Sequence, residues 1–304
     1  MSTLSLLQAA TKNSLRDIGR NHIMAFAAAL SYYFVLSLFP ALILLAALLV
    51  LLPTPNLFPQ ILNLMSRTVP PYAMGLVRQI TVSVVSPNSG TLFSFGVLGV
   101  AWSATTGFAS LIEALNVAYD VPETRPYWKT RVLAMLMALE VGGLLLVALA
   151  FEVVGPDFGS WLARHLGLGP LLQIMWPFLR WGVSVAFTLF AIYASYKVAP
   201  NIRQRISQLL PGAVIATAFW ILLSYGLGIY FRSFAHFNKT YGTLGAAIAL
   251  MMWIYYTSFV ILLGAEFNSE LMQLRGGGRL ELKQPPPPTV KPQPATESET
   301  DVAA

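Results

Sequence analysis

The 304-residue chain contains no cysteine, so disulfides, thiolate metal sites and cysteine nucleophiles are excluded. Histidine is almost as scarce: the chain has three, His22, His165 and His236, on widely separated segments. A metal-dependent nuclease needs a compact set of His and carboxylate ligands, and no H-x-H-x-D-H-like run supplies one. The P-loop, the G-x-S-x-G elbow and H-E-x-x-H are missing too, which removes the signatures of an ATP-driven pump and of familiar hydrolases. No cofactor is expected. Charge is sparse at 11% of residues, and it is absent from the 28 residues between Ala25 and Leu52. At about 1.5 Å per helical residue, that run is longer than a hydrocarbon core of roughly 30 Å.

Comparable low-charge runs recur at Thr91–Ile112, Val132–Val154, Leu171–Tyr196, Ser207–Tyr230 and Thr243–Ala265. The expected fold is therefore all-α: a polytopic integral membrane protein with six transmembrane helices spanning residues 25–274. The first run is too long for a cleavable signal peptide, and more spans follow it. Of the 19 Lys and Arg residues, 13 fall before, between and after the spans on one side and six on the other. The positive-inside rule then places both termini in the cytoplasm, as an even number of crossings requires. This distribution also accounts for the net charge of +6 without a nucleic-acid partner.

Three segments lie outside the spans. Residues 1–24 place Leu4, Leu7, Leu15 and Ile18 at helical spacing, opposite Lys12, Asn13, Arg16 and Arg20. This is the pattern of an N-terminal interfacial helix, or of a lead-in helix packed on the bundle. Residues 53–90 form a proline-punctuated outer loop with room for two short amphipathic helices. Residues 275–304 carry Pro285 to Pro288 and little to bury, so a disordered tail is expected, with a ligand for a proline-reading domain as the less favoured alternative.

Within the spans, Gly99, Ser103 and Gly107 stand four apart, and Gly212, Ala216, Ser224 and Gly228 mark a face of the fifth span. Both are small-residue seams that let backbones approach. Pro40 falls mid-span, where it serves either a hinge or simple shape-fitting, and Ser37 is placed to satisfy the carbonyl it frees. Trp102, Trp220 and Trp253 lie deep and read as packing. Polar groups at membrane depth say more, because each is costly there. Glu140, nine residues into the third span, should face the bundle interior. Glu152 and Arg180 either neutralise each other or snorkel to the interface. Tyr32 and Tyr33, with nearby serines, either line a polar cavity or bond between helices. At the cytoplasmic ends, Glu113 and Asn116 share a face, as do Glu266 and Glu270, with Asn268 between them. Carboxylates at helix C-termini oppose the dipole, and Arg125 and Arg131 lie on the same side to answer them. The cluster is either a solvated rim or a gate in which Glu113, Asn116, Glu266 and Asn268 hydrogen-bond to one another.

The segments AAALSYYFVLSLFPALILL (27–45), EALNVAYDVPETRPYWKTR (113–131), APNIRQRISQLLPGAVIA (199–216) and YGTLGAAIALMMWIYYTSFVILLGAEFNSEL (241–271) closely resemble the YihY/BrkB family of bacterial inner-membrane proteins. The likeness spans roughly residues 22–273. It implies a six-helix membrane domain, linked in places to serum resistance and to transport, with no settled activity. The family has also carried the label ribonuclease BN, which the dispersed histidines do not support. Two expectations follow. One is transport, or handling of lipids or envelope components, through or along the bundle. The other is a non-enzymatic scaffold for envelope integrity. Expected partners are membrane lipids, with envelope proteins or a second copy of the chain as further candidates.

Overall fold

A computed structural model describes residues 3–51, 89–166, 169–233 and 237–276. The described residues form seven helices and no strand: α1 (Thr3–Arg20), α2 (Ile23–Leu51), α3 (Ser89–Ala118), α4 (Tyr127–Leu166), α5 (Gly169–Val198), α6 (Ile206–Ser233) and α7 (Phe237–Gly276). Five of them, α3 to α7, are long and apolar enough to cross a membrane; α2 runs 29 residues and opens with the apolar stretch Ile23–Ser37. Most of the outer loop expected at 53–90 and nearly all of the tail lie outside the described residues.

The helices alternate in direction. Hydrogen bonds from Asn21 to Glu266, Asn201 to Asn116, Arg125 to Ala199 and Asn268 to Leu209 join the ends of α1, α3, α5 and α7 with the start of α6 at one face. This is called the α1 face below. The largest buried side chains, including Ile23, Leu30, Ile112, Leu115, Leu209 and Leu262, gather towards it. Elsewhere the helices present Leu98, Trp102, Phe178 and Leu222 outward, each more than 60% exposed, which suits a lipid surround and no aqueous one. Trp102, expected to pack inside, is therefore on the lipid-facing surface at 79% exposure, whereas Trp220 and Trp253 do pack together, 6.3 Å between ring centroids.

The first small-residue seam joins α2 to α3. A Cβ on Gly99 would sit 3.0 Å from the Cβ of Pro40, and one on Gly107 would sit 3.6 Å from that of Tyr33. The helix continues through Pro40. Ser37 Oγ donates to the Phe34 carbonyl at 2.7 Å, so it does not reach the Leu36 carbonyl that the proline leaves unbonded. The second seam joins α6 to α7. A Cβ on Gly212 would overlap the Gly264 carbonyl oxygen, and one on Gly264 would lie 2.6 Å from the Gly212 carbonyl oxygen. Ser224 accepts from Trp253 Nε1 at 3.1 Å. Gly228 has open space around it and takes no part in this seam.

Helix α1 docks on α7. Its buried face is Ala10, Ser14 and Asp17, while Leu7 and Leu15 are exposed. The amphipathic helix is thus seated by its small and polar side, and two of its leucines remain available to a membrane interface.

Candidate functional site

Where α2, α3 and α4 meet at the α1 face they leave an open cleft of about 540 Å³. Its walls are Tyr33 from α2, Thr106, Ser110 and Glu113 from α3, and Tyr127 and Arg131 from α4, with Glu123 and Arg125 at the rim. Thr106, Ser110 and Glu113 follow each other at intervals of four and three, so one face of α3 carries all three into the cleft. Arg131 is one turn into α4. Its Nε donates to the Tyr127 hydroxyl at 2.8 Å and its Nη1 to Thr106 Oγ1 at 3.3 Å, and the guanidinium carbon lies 5.1 Å from the Tyr127 ring centroid. Of the residues singled out from sequence, Glu113, Arg125, Arg131 and Tyr33 are brought together here. Tyr32, 56% exposed, points away from the core.

The rim is held rigid from behind. Arg125 Nε and Nη2 grip the two carboxylate oxygens of Glu123 at 2.8 and 2.6 Å, and Nη2 also donates to the Ala199 carbonyl at 2.7 Å. Asn116, buried, donates Nδ2 to Glu123 Oε2 and accepts from the Asn201 backbone N–H, both at 2.8 Å. Asn201 in turn donates to Thr124 Oγ1 at 2.7 Å. The loop after α3 is thereby tied to the turn between α5 and α6. Partial burial works against the charge on Glu123, but the Arg125 and Asn116 hydrogen bonds and the Arg125 charge outweigh it and hold the carboxyl below its usual range. A depressed pKa gives stability that is complete above the unfolded value and lost as pH falls through the folded one. Lowering the pH from about 8 to about 5 should leave the loop closed, and only below about pH 4 should it open. Amide hydrogen exchange across residues 120–125, corrected for its intrinsic pH dependence, reads this; opening already near pH 6 would refute the lock.

The remaining members of the expected gate turn elsewhere. Successive helical residues rotate by about 100°, so Glu266 and Asn268, two apart, point to nearly opposite sides of α7. Asn268 faces α6, accepting from the Gly212 N–H at 2.7 Å and donating to the Leu209 carbonyl at 2.9 Å. It bonds the backbone on either side of Pro211, which lies inside the continuous helix α6. Glu266 faces α1 and accepts from Asn21 Nδ2 at 2.7 Å, and one turn on Glu270 accepts from Asn13 Nδ2 at 2.8 Å. The single hydrogen-bonded gate expected of Glu113, Asn116, Glu266 and Asn268 resolves into three arrangements: a cleft wall, a loop lock and a two-sided clamp on α7. The basic loop reaches the first two only.

Glu140 is partly exposed on α4 and makes no hydrogen bond or ion pair with any described residue. It lines neither this cleft nor a second one of about 770 Å³ between α5 and α6. Arg180 lines that second groove with Trp181, Ser184 and Tyr225, and the side chain of Glu152 is outside the described residues. Sequence reasoning passed over Glu123, Thr106 and Tyr127 in the cleft, Asn201 in the lock behind it and Asn21 in the clamp on α7. Glu123 was legible as a carboxylate two residues before Arg125 in a proline-flanked turn. The asparagines carry no local signal, because their partners lie far along the chain.

Among the described residues no group of three or more His, Asp or Glu is placed to hold a metal ion. The family model described as virulence factor BrkB matches residues 14–288. A Bacillus subtilis (strain 168) protein named putative ribonuclease-like protein YfkH is 36% identical over 244 residues, covering 80% of this chain and 88% of its own length. A UPF0761 membrane protein of Tolumonas auensis is 29% identical over 265 residues, with 84% of this chain and 83% of that one covered. Another, from Stenotrophomonas maltophilia (strain K279a), is 28% identical over 262 residues, but this chain spans only 57% of its length. No solved structure matches. The likeness runs through the helices and the loop that build the cleft and its lock, and the chain belongs to the BrkB family of membrane proteins.

Proposed function

We propose that the protein binds and handles a membrane amphiphile at the α1-face cleft, moving or presenting it along the outside of the bundle rather than through its centre. The α1 face is the cytoplasmic one in this reading, and the membrane is the bacterial inner membrane. The observation that carries it is the composition of one continuous face of α3. Glu113, Ser110 and Thr106 line the cleft, and one and two turns further into the membrane the same face presents Trp102 and Leu98, 79% and 66% exposed. A polar pocket opening onto an apolar lane has the two-part character of a lipid. Arg131 supplies a fixed guanidinium at the level of a headgroup phosphate, the geometry guanidinium groups serve best. RNA hydrolysis forms no part of this reading, and the ribonuclease-like name stays with the Bacillus relative.

Native mass spectrometry of the detergent-purified protein tests it. The wild type should carry a tightly retained phospholipid, and Arg131→Ala, folded to the same thermal midpoint, should lose it with about tenfold weaker binding, the scale of one charge-assisted contact. Equal lipid retention by the two proteins would remove the cleft from the function.

A further inference from the structure

The charges of the cleft are of two signs and are unequally used. Glu123 and Arg125 satisfy each other at the rim, 2.6 Å apart. Arg131 and Glu113 do not share this arrangement. Arg131 donates only to two neutral hydroxyls, those of Tyr127 and Thr106, and among the described residues no carboxylate lies within ion-pair distance of it. Glu113, exposed on the α3 wall, has no hydrogen bond or ion pair with any described residue. A pocket about 540 Å³ in volume thus presents one cation without a carboxylate and one carboxylate without a cation, on different helices.

We infer that the cleft is a headgroup site for a zwitterionic phospholipid bearing a primary amine, with the phosphate on Arg131 and the ammonium on Glu113. The inference rests on the amphiphile reading above and adds the class of headgroup. A phosphodiester alone would answer Arg131 and leave Glu113 repelling it. A primary ammonium separated from the phosphate by a short linker answers both and donates up to three hydrogen bonds, to Glu113 and to the Ser110 hydroxyl beside it. A quaternary ammonium has no N–H to give. A soluble phosphoamine would match the charges equally well, but it would leave the lane of Trp102 and Leu98 unused. On the α4 side Met135 and Leu139, 43% and 65% exposed, follow Arg131 at intervals of four and continue the apolar surface below it. The acyl chains fit along these two helices while the headgroup stays at the mouth.

The full-length protein, delipidated in detergent, is titrated with phosphatidylethanolamine, phosphatidylglycerol and phosphatidylcholine, and bound lipid is counted by native mass spectrometry. Wild type should prefer phosphatidylethanolamine by about tenfold over both others. Glu113→Gln should abolish the preference and keep phospholipid binding, while Arg131→Gln should weaken all three lipids together. Ser110→Trp fills the cleft without touching either charge, and it should block binding in a protein of unchanged thermal midpoint. Equal binding of the three lipids by wild type, or a preference that survives Glu113→Gln, overturns the zwitterion and leaves the amphiphile reading standing. Binding indifferent to both Arg131→Gln and Ser110→Trp overturns the amphiphile reading itself. Displacement of bound phosphatidylethanolamine by an equal concentration of phosphoethanolamine would show a soluble ligand and overturn the assignment to a lipid.

Discussion

Gly264→Leu is expected to abolish stable folding, and Gly212→Ala to destabilise the protein by about 1–3 kcal/mol, the usual cost of forcing extra carbon into a packed contact. The two glycines face each other where α6 and α7 cross, and a Cβ on either meets backbone, which cannot move aside as a flexible side chain would. A Cβ on Gly264 also lies 2.9 Å from that of Ala216. The Gly212 position holds a second cost, because any side chain there pushes against Asn268, whose amide caps the backbone beside Pro211. The control is internal. Gly228→Ala lies on the same helix in open space and should be neutral or slightly stabilising, since alanine is the better helix former by about 0.8–1.0 kcal/mol. Thermal midpoints in detergent decide the matter. Gly212→Ala as stable as Gly228→Ala would mean that the close approach of α6 and α7 is not real.

Asn21→Leu should release α1 from the bundle. Its amide is the one described hydrogen-bond donor to Glu266, a side chain only 1% exposed, and removing it strands a buried carboxyl at a cost of about 1–3 kcal/mol. The cysteine-free background gives a clean reporter: a thiol at Ser14, buried at 2% exposure against α7, should resist maleimide in the parent and label once Asn21 is leucine. Adding Glu266→Leu to Asn21→Leu removes both polar partners, and apolar replacement of a buried pair is close to neutral, so protection should return. Unchanged protection of the Ser14 thiol in Asn21→Leu would show that α1 is held by something other than this contact. Loss of protection in the double variant as severe as in the single one would show that Glu266 has work beyond seating α1.

Much of this architecture is legible in the chain, because crossing a bilayer imposes a length and a composition that survive any arrangement of neighbours. The apolar runs, the Gly99–Gly107 seam and the closeness of Glu113 to Arg125 and Arg131 follow from spacing along one helix or across one short loop. What spacing does not reveal is which helix a face meets. Glu266 and Asn268 look like one motif in sequence, and helical rotation sends them to α1 and α6. Asn116 pairs with a loop glutamate seven residues on, and its other partner, Asn201, lies 85 residues away. Glu140 looked like an inward-facing group from its depth, but depth sets only the cost of a charge, and the facing of α4 leaves it at the edge of the packed surface. Helix α1 shows the same limit: its leucine stripe was visible, and its burial by Ala10, Ser14 and Asp17 depended on a helix at the other end of the chain.

That last contact sets an order of assembly. The partners of Asn21 and Asn13 are 245 and 257 residues downstream, so during synthesis α1 emerges ahead of the other described helices and waits for all of them before its seat exists. Until α7 arrives, the Gly212 backbone lacks its Asn268 cap as well. Helix α7 therefore closes its seam with α6 and its contact with α1 in one event. A nascent protein that stalls before Glu266 is left with an unseated leading helix and an uncapped α6, two marks by which a membrane protease could tell an unfinished molecule from a finished one.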